Sequence, residues 1–154
     1  MGNITFQIRQ AKAVDIEALV RLLGCLFEIE EDFSFEPEKQ KRGLKMLLNR
    51  KDVSCVFVAE HSTDKTILGM CSVQTLISTA EGGLSALIED VVVSPDCRGE
   101  GIGRKLLQSA EKWAMENNIT RCQLLYDRTN HKALGFYKSC RWSETRLVCL
   151  RKMF

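Results

Sequence analysis

Apolar residues along this chain repeat with two different periods, and the changes between those periods mark out its elements. Residues 4–9 alternate as a strand does. Behind Asp15, a residue type suited to a helix N-cap, Ile16, Leu19, Val20, Leu23, Leu26 and Phe27 recur at helical spacing. Pro37 suits a first helical turn and opens a second helix with Leu44, Leu47 and Leu48 on one side. Residues 53–60, 65–77 and 84–93 read as three successive antiparallel strands separated by glycine or polar turns. Residues 102–116 return to the helical period, with Ile102, Leu106, Ala110 and Trp113 as the buried stripe. A strand over 120–126, a short helix over 132–140 and a last strand over 142–150 complete the prediction.

Strands first, then a strand–helix–strand crossover, give an α/β sandwich with a mixed sheet. At 154 residues, with no repeat or low-complexity linker, the chain is expected to form one domain over 1–154. A net charge of +2 argues against a dedicated nucleic-acid binder. No run approaches the roughly 18 apolar residues of a membrane span, and the start, Met1-Gly2-Asn3-Ile4-Thr5-Phe6, lacks the marks of a signal peptide or a myristoylation site. The seven cysteines are odd in number, mostly apolar in context and without a Cys-x-x-Cys pair, so they read as reduced thiols of a cytoplasmic protein. With His61 and His131 as its two histidines, the chain is expected to hold no metal.

The candidate chemistry begins at Arg98-Gly99-Glu100-Gly101-Ile102-Gly103, between the β-branched run Val91-Val92-Val93 and the helix over 102–116. Glycines strip side chains from the turn, and the following helix presents unpaired N–H groups and its positive dipole end there, which suits an anion such as a phosphate. A dinucleotide fingerprint would need a glycine where Arg104 stands, and a P-loop would need Gly-Lys followed by Ser or Thr. The pattern Arg-x-x-Gly-x-Gly resembles instead the acetyl-CoA pyrophosphate loop of the GNAT superfamily of N-acetyltransferases. Ile8-Arg9-Gln10-Ala11 with Asp15, Gly69 in Ile67-Leu68-Gly69-Met70, and Asn130, Ala133 and Phe136-Tyr137 match further signatures of that superfamily in the same order. After Phe-Tyr the superfamily usually has Gly-Phe, and Arg141-Trp142 stands there instead.

The resemblance implies a mixed, mostly antiparallel central sheet with helices on both faces, and an enzyme that transfers acetyl groups from acetyl-CoA to an amine in a ternary complex. It implies that pyrophosphate lies on the backbone of Arg98, Gly99, Glu100, Gly101, Ile102, Gly103 and Arg104. Pantetheine would pair with the strand backbone around Val91, Val92 and Val93, with Asn130 at the same arm. Tyr137 would be the general acid; packing alone would also account for it in an anonymous sequence.

Acetyl transfer also needs a neutral amine. Glu89-Asp90 interrupts an apolar strand, where an unpaired charge is costly, so these carboxylates are the candidate bases, Glu89 first and Asp90 second. Strand alternation sends the two to opposite faces, and a structural salt bridge would serve either residue equally well. The acidic segment 28–36 supplies Glu28, Glu31 and Asp32 with Phe33, a set that would attract a cationic acceptor, although a solvated acidic loop has the same composition. The apolar run Val148-Cys149-Leu150 near the C-terminus suggests an edge strand covered by a second copy, hence a homodimer. A non-catalytic acyl-CoA-binding module and an enzyme acting on protein lysine or N-terminal amines are the competing readings.

Overall fold

The computed structural model describes residues 4–154; residues 1–3, which enter the reading of the N-terminus, lie outside them. The chain divides into two compact units, one ending at Gln123 and the other running from Leu124 to Phe154.

The first unit holds β1 (Phe6–Gln10), α1 (Ile16–Phe27), α2 (Pro37–Asn49), β2 (Ser54–His61), β3 (Ile67–Ser78), β4 (Gly83–Val93) and α3 (Ile102–Glu116). β5 (Ile119–Leu124) runs up to the boundary. The sheet order is β1-β2-β3-β4-β5, and the first three pairs are antiparallel. One face packs Val56, Val58, Met70 and Val92 against Ile16, Leu19, Val20 and Leu23 of α1 and Leu44 of α2. The opposite face receives α3, where the buried Cys71 thiol donates to the Leu106 carbonyl at 3.6 Å. Helices therefore cover both faces. The buried stripe of α3 ends on Ala114 rather than on Trp113, which is only partly buried.

Gly69 has a steric reason. A Cβ there would stand 2.8 Å from the Val92 carbonyl oxygen, so β3 and β4 approach as closely as they do only over a bare backbone. Asp15 occupies the N-cap position of α1, but its carboxylate serves other donors. It accepts from both terminal nitrogens of Arg9, at 2.8 and 2.9 Å, and from the Lys12 amide at 2.7 Å. The same guanidinium donates from Nε to Glu60 at 2.7 Å, so β1, β2 and the entry to α1 are tied by one buried cluster. Burial alone would push the Asp15 carboxyl up, but the Arg9 and Lys12 hydrogen bonds outweigh it and leave it below its ordinary range.

In the second unit, α4 (His131–Ser139) starts under Asn130, whose side chain accepts from the Ala133 amide at 2.9 Å. It ends in a turn where Arg141 takes φ +70° and the Trp142 amide donates to the Tyr137 carbonyl at 3.0 Å. Arg141 thus adopts a left-handed conformation that glycine enters more readily, at the place where the resembling sequences usually have glycine. The expected strand over 142–150 is not formed. Alternating side chains specify which residues could share a face, but a strand exists only where a ladder satisfies its backbone. Here Leu147, Val148, Leu150, Met153 and Phe154 are all exposed.

Candidate active site

The site is built around an irregularity in β4. Ser72 pairs with Glu89, and Met70 pairs with Val92, so Cys71 alone stands opposite both Asp90 and Val91. That is a β-bulge, and Asp90 carries it with φ +54°. Before the bulge Glu89 faces the α1/α2 layer; after it Val92 does, three residues later, where regular alternation would require an even spacing. The expectation that Glu89 and Asp90 point to opposite faces is therefore wrong. The extra residue re-aims the chain, and both carboxylates line one cavity.

This cavity has a volume of about 350 Å³. Leu23 and Phe27 of α1 and Leu44, Met46 and Leu47 of α2 supply apolar wall; Lys39, Gln40 and Gln74 join the two carboxylates as its polar lining. Two donors on β3 serve the carboxylates separately. The Ser72 hydroxyl donates to Asp90 Oδ2 at 3.1 Å, and Gln74 Nε2 donates to Glu89 Oε2 at 3.0 Å. Glu89 is exposed and Asp90 partly buried. Burial pushes the Asp90 carboxyl up to about 6, the neighbouring Glu89 charge adds to the rise, and the Ser72 hydrogen bond opposes it. A carboxylate so tuned is a stronger base than an exposed one and still ionised at neutral pH.

At the far end of β4, Arg98 Nε donates to the Val93 carbonyl at 3.2 Å, which anchors the guanidinium beside the glycine turn. Gly99 and Gly101 take φ +88° and +79°, and a Cβ at either would meet nothing within 4 Å. The turn is thus bare and open on the outside. Gly101 is the N-cap of α3 and supplies no side-chain cap, and Gly103 lies in the first turn, so the positive end of the helix dipole meets the glycine turn. This surface fits a pyrophosphate-bearing cofactor. The Ile102 and Val92 side chains are buried in the core, so these residues have only backbone to offer a ligand.

Tyr137 lies on α4 with its ring against Phe136 and Trp142, at centroid distances of 5.2 and 6.5 Å. Glu28, Glu31 and Asp32 are exposed in the segment between α1 and α2, and the Phe33 ring rests on Phe27, with centroids 5.6 Å apart. None of these four residues lines the cavity; Phe27, beneath Phe33, does. Among the described residues, no group of three or more His, Cys, Asp or Glu is placed to hold a metal ion.

Comparison with known proteins decides the family. Residues 16–141 match the Acetyltransferase (GNAT) family. An uncharacterized N-acetyltransferase of Archaeoglobus fulgidus is 34% identical over 86% of this chain and 90% of its own length. The chain belongs to the GNAT family of acetyltransferases. The streptothricin acetyltransferase A of Bacillus subtilis is 42% identical to this GNAT chain over 52 residues, which are 34% of this chain and 30% of that one. A solved aminoglycoside acetyltransferase from an uncultured soil metagenomic sample superimposes with a TM-score of 0.79 at 25% identity, covering 97% of this chain and 96% of the other.

In this GNAT domain the residues that sequence reasoning passed over are Ser72, Gln74, Lys39 and Gln40, all in contact with the cavity or its carboxylates. A signal for the first pair was present. In Met70-Cys71-Ser72-Val73-Gln74 two polar residues share one face of a strand that is otherwise apolar there.

Proposed function

We propose that this acetyltransferase transfers the acetyl group of acetyl-CoA to a small primary amine by direct attack in a ternary complex, with the acceptor seated between α1, α2 and the β3–β4 bulge. The observation that carries this reading is the bulge itself, which sets two carboxylates in one cavity opposite the apolar side chains of α1 and α2. At neutral pH a primary amine is an ammonium ion, with a pKa near ~10. Glu89 and Asp90 attract that cation, and its apolar body rests on Leu23, Phe27 and Leu47. Asp90 then accepts the proton, which frees the nitrogen lone pair. Its pKa of about 6 lies near working pH, where general-base efficiency is greatest.

Acetyl-CoA supplies the thioester carbonyl and the thiolate leaving group. Gly99, Gly101 and the first-turn amides of α3 would hold its pyrophosphate, with Arg98 and Arg104 adding positive charge, and the backbone around Val91 and Val93 would receive the pantetheine amides. Tyr137, on the strength of the signature it closes, is the proton donor to the thiolate, and Asn130 of the same signature serves the pantetheine arm. Cys97 is a poor covalent relay. Burial lifts its thiol above the ordinary value, and the charges of Asp96 and Glu100 lift it further.

Since Glu28, Glu31, Asp32 and Phe33 do not line the cavity, their proposed part is attraction of a cationic acceptor from solution, a long-range effect that salt weakens. That two similar proteins are named as a streptothricin acetyltransferase and an aminoglycoside acetyltransferase supports a small-molecule acceptor. A second copy of this chain is the proposed cover for exposed Leu147, Val148 and Leu150; light scattering that returns a monomer mass overturns this. The reading as a whole is tested by thiol release from acetyl-CoA across a panel of small amines and lysine peptides. Amine-dependent release favouring small amines is expected. Release with peptides alone would move the acceptor off the cavity, and acyl-CoA binding without release would leave a non-catalytic module.

A further inference from the structure

We propose that Ser72 is a positioning residue for acetyl transfer: its buried hydroxyl, donated to Asp90 Oδ2, fixes that carboxylate in the acceptor cavity, so that Asp90 rather than Glu89 takes the acceptor's proton. The proposal rests on the reading of the cavity as the acceptor site.

Four observations converge on it. Ser72 is fully buried, so its hydroxyl has no solvent to turn to and its bond to Asp90 is its means of satisfaction. In register, the residue opposite Ser72 is Glu89, yet the hydroxyl reaches the next residue, because the bulge swings Asp90 over the β3 backbone. Gln74, two residues along the same face, engages Glu89. The donor for Glu89 is a long, half-buried amide, whereas the donor for Asp90 is short and locked in the core. Two carboxylates in one cavity therefore receive different treatment from one strand: one is held rigidly and half-desolvated, the other is left in contact with water.

The bulge makes this positioning necessary. Asp90 occupies a left-handed backbone conformation that only its neighbours can over-determine, and a side chain on such a residue has no regular strand partner to align it. The charged and titratable groups facing Asp90 are few. Glu89 is its neighbour on β4, Cys71 lies opposite on β3, and Lys39 of α2 shares the cavity, whereas α1 contributes only Leu23 and Phe27. Ser72 donates a hydrogen bond to the carboxylate, so it stabilises the ionised form and sets the direction in which the carboxylate accepts.

The test is the pH dependence of kcat/KM for amine acetylation in the parent, Ser72→Ala, Ser72→Cys and Gln74→Met. Losing a hydrogen bond to the ionised carboxylate should move the acidic limb of the Ser72→Ala profile upward by about one pH unit. KM for acetyl-CoA should be unchanged. Cysteine, of similar shape and a weaker donor, should give an intermediate shift, and Gln74→Met should leave the limb in place. In an Asp90→Asn background the further change on Ser72→Ala should fall within about twofold, because the hydroxyl then has no base to position. A packing role would lower the melting temperature without moving the limb, and that result overturns the proposal. So does a limb that moves with Gln74→Met instead, which would make Glu89 the base. If the parent acetylates no amine, the functional reading fails along with the proposal; transfer with an unmoved limb removes Ser72 alone.

Discussion

Asp90→Asn should stabilise this protein while disabling it, and the gain should depend on pH. In the folded chain the Asp90 carboxyl is raised from its ordinary 3.8 to about 6 by burial and by the Glu89 charge. Between those values the folded state binds the proton more tightly than the unfolded state, so stability falls as pH rises through this window. At 1.36 kcal/mol per pKa unit the full loss is about 3 kcal/mol, complete by about pH 8 and roughly half developed at pH 5. Asparagine has nearly the same shape, can still accept from Ser72, and carries no charge. Urea unfolding of parent and Asp90→Asn should therefore differ by about 3 kcal/mol at pH 8, with the difference shrinking toward pH 4. For a chain of this size that corresponds to a melting-temperature gain of roughly 6–12 °C at pH 8. Asp15 and Glu60 titrate identically in both proteins and cancel from the comparison. A variant less stable than the parent at pH 8, or a difference that does not vary with pH, would refute the claim that an ionised carboxylate is held there against its solvation preference. On the proposed function, the stability forgone by keeping aspartate is what the base requires.

Three further outcomes are expected. CoA should raise the melting temperature of the parent by binding the native state, and Gly101→Glu should abolish that rise. The side chain enters open space where φ is +79°, so it costs about 1 kcal/mol in the free protein but opposes a pyrophosphate with bulk and charge; a shift that survives would remove the glycine turn from the cofactor site. Tyr137→Phe should keep CoA affinity in calorimetry and lower kcat by ~10²-fold, and unchanged turnover would return the tyrosine to a packing role. Arg9→Met strips the buried Asp15 of both its guanidinium contacts, so chemical denaturation at pH 7 should show a loss on the order of 3 kcal/mol. Because the Asp15 carboxyl is held below its ordinary value, that loss should shrink as pH falls through 4, and a constant loss would refute the ion-pair account.

The elements that the chain's periodicity predicts appear within a residue or two where one face meets the core, as in α3 over Ile102–Glu116 and the three central strands. The strand over 142–150 failed because alternation is a property of side chains, whereas strand formation depends on a partner for the backbone. The bulge was illegible for a related reason. Alternation assumes one residue opposite one, and nothing in Leu87-Ile88-Glu89-Asp90-Val91 announces that Cys71 will face two. The candidate pair of carboxylates was visible as a charge interruption in an apolar strand, but their shared cavity was not. The acidic segment is a different case: its composition suggests an acceptor wall, whereas the cavity that holds Glu89 and Asp90 is walled by α1 and α2 side chains that read only as core.

Whether an amine loses its proton to Asp90 and takes the acetyl group directly is open to one decisive measurement. Acetyl-CoA labelled in the acetyl group is mixed with a small primary amine at pH 8, and the label is followed by mass spectrometry in the amine and in the protein. The account predicts label on the amine nitrogen, none retained on a cysteine, and transfer slower by ~10²-fold or more in Asp90→Asn. Label that passes through a cysteine, or equal rates in the two proteins, would contradict it.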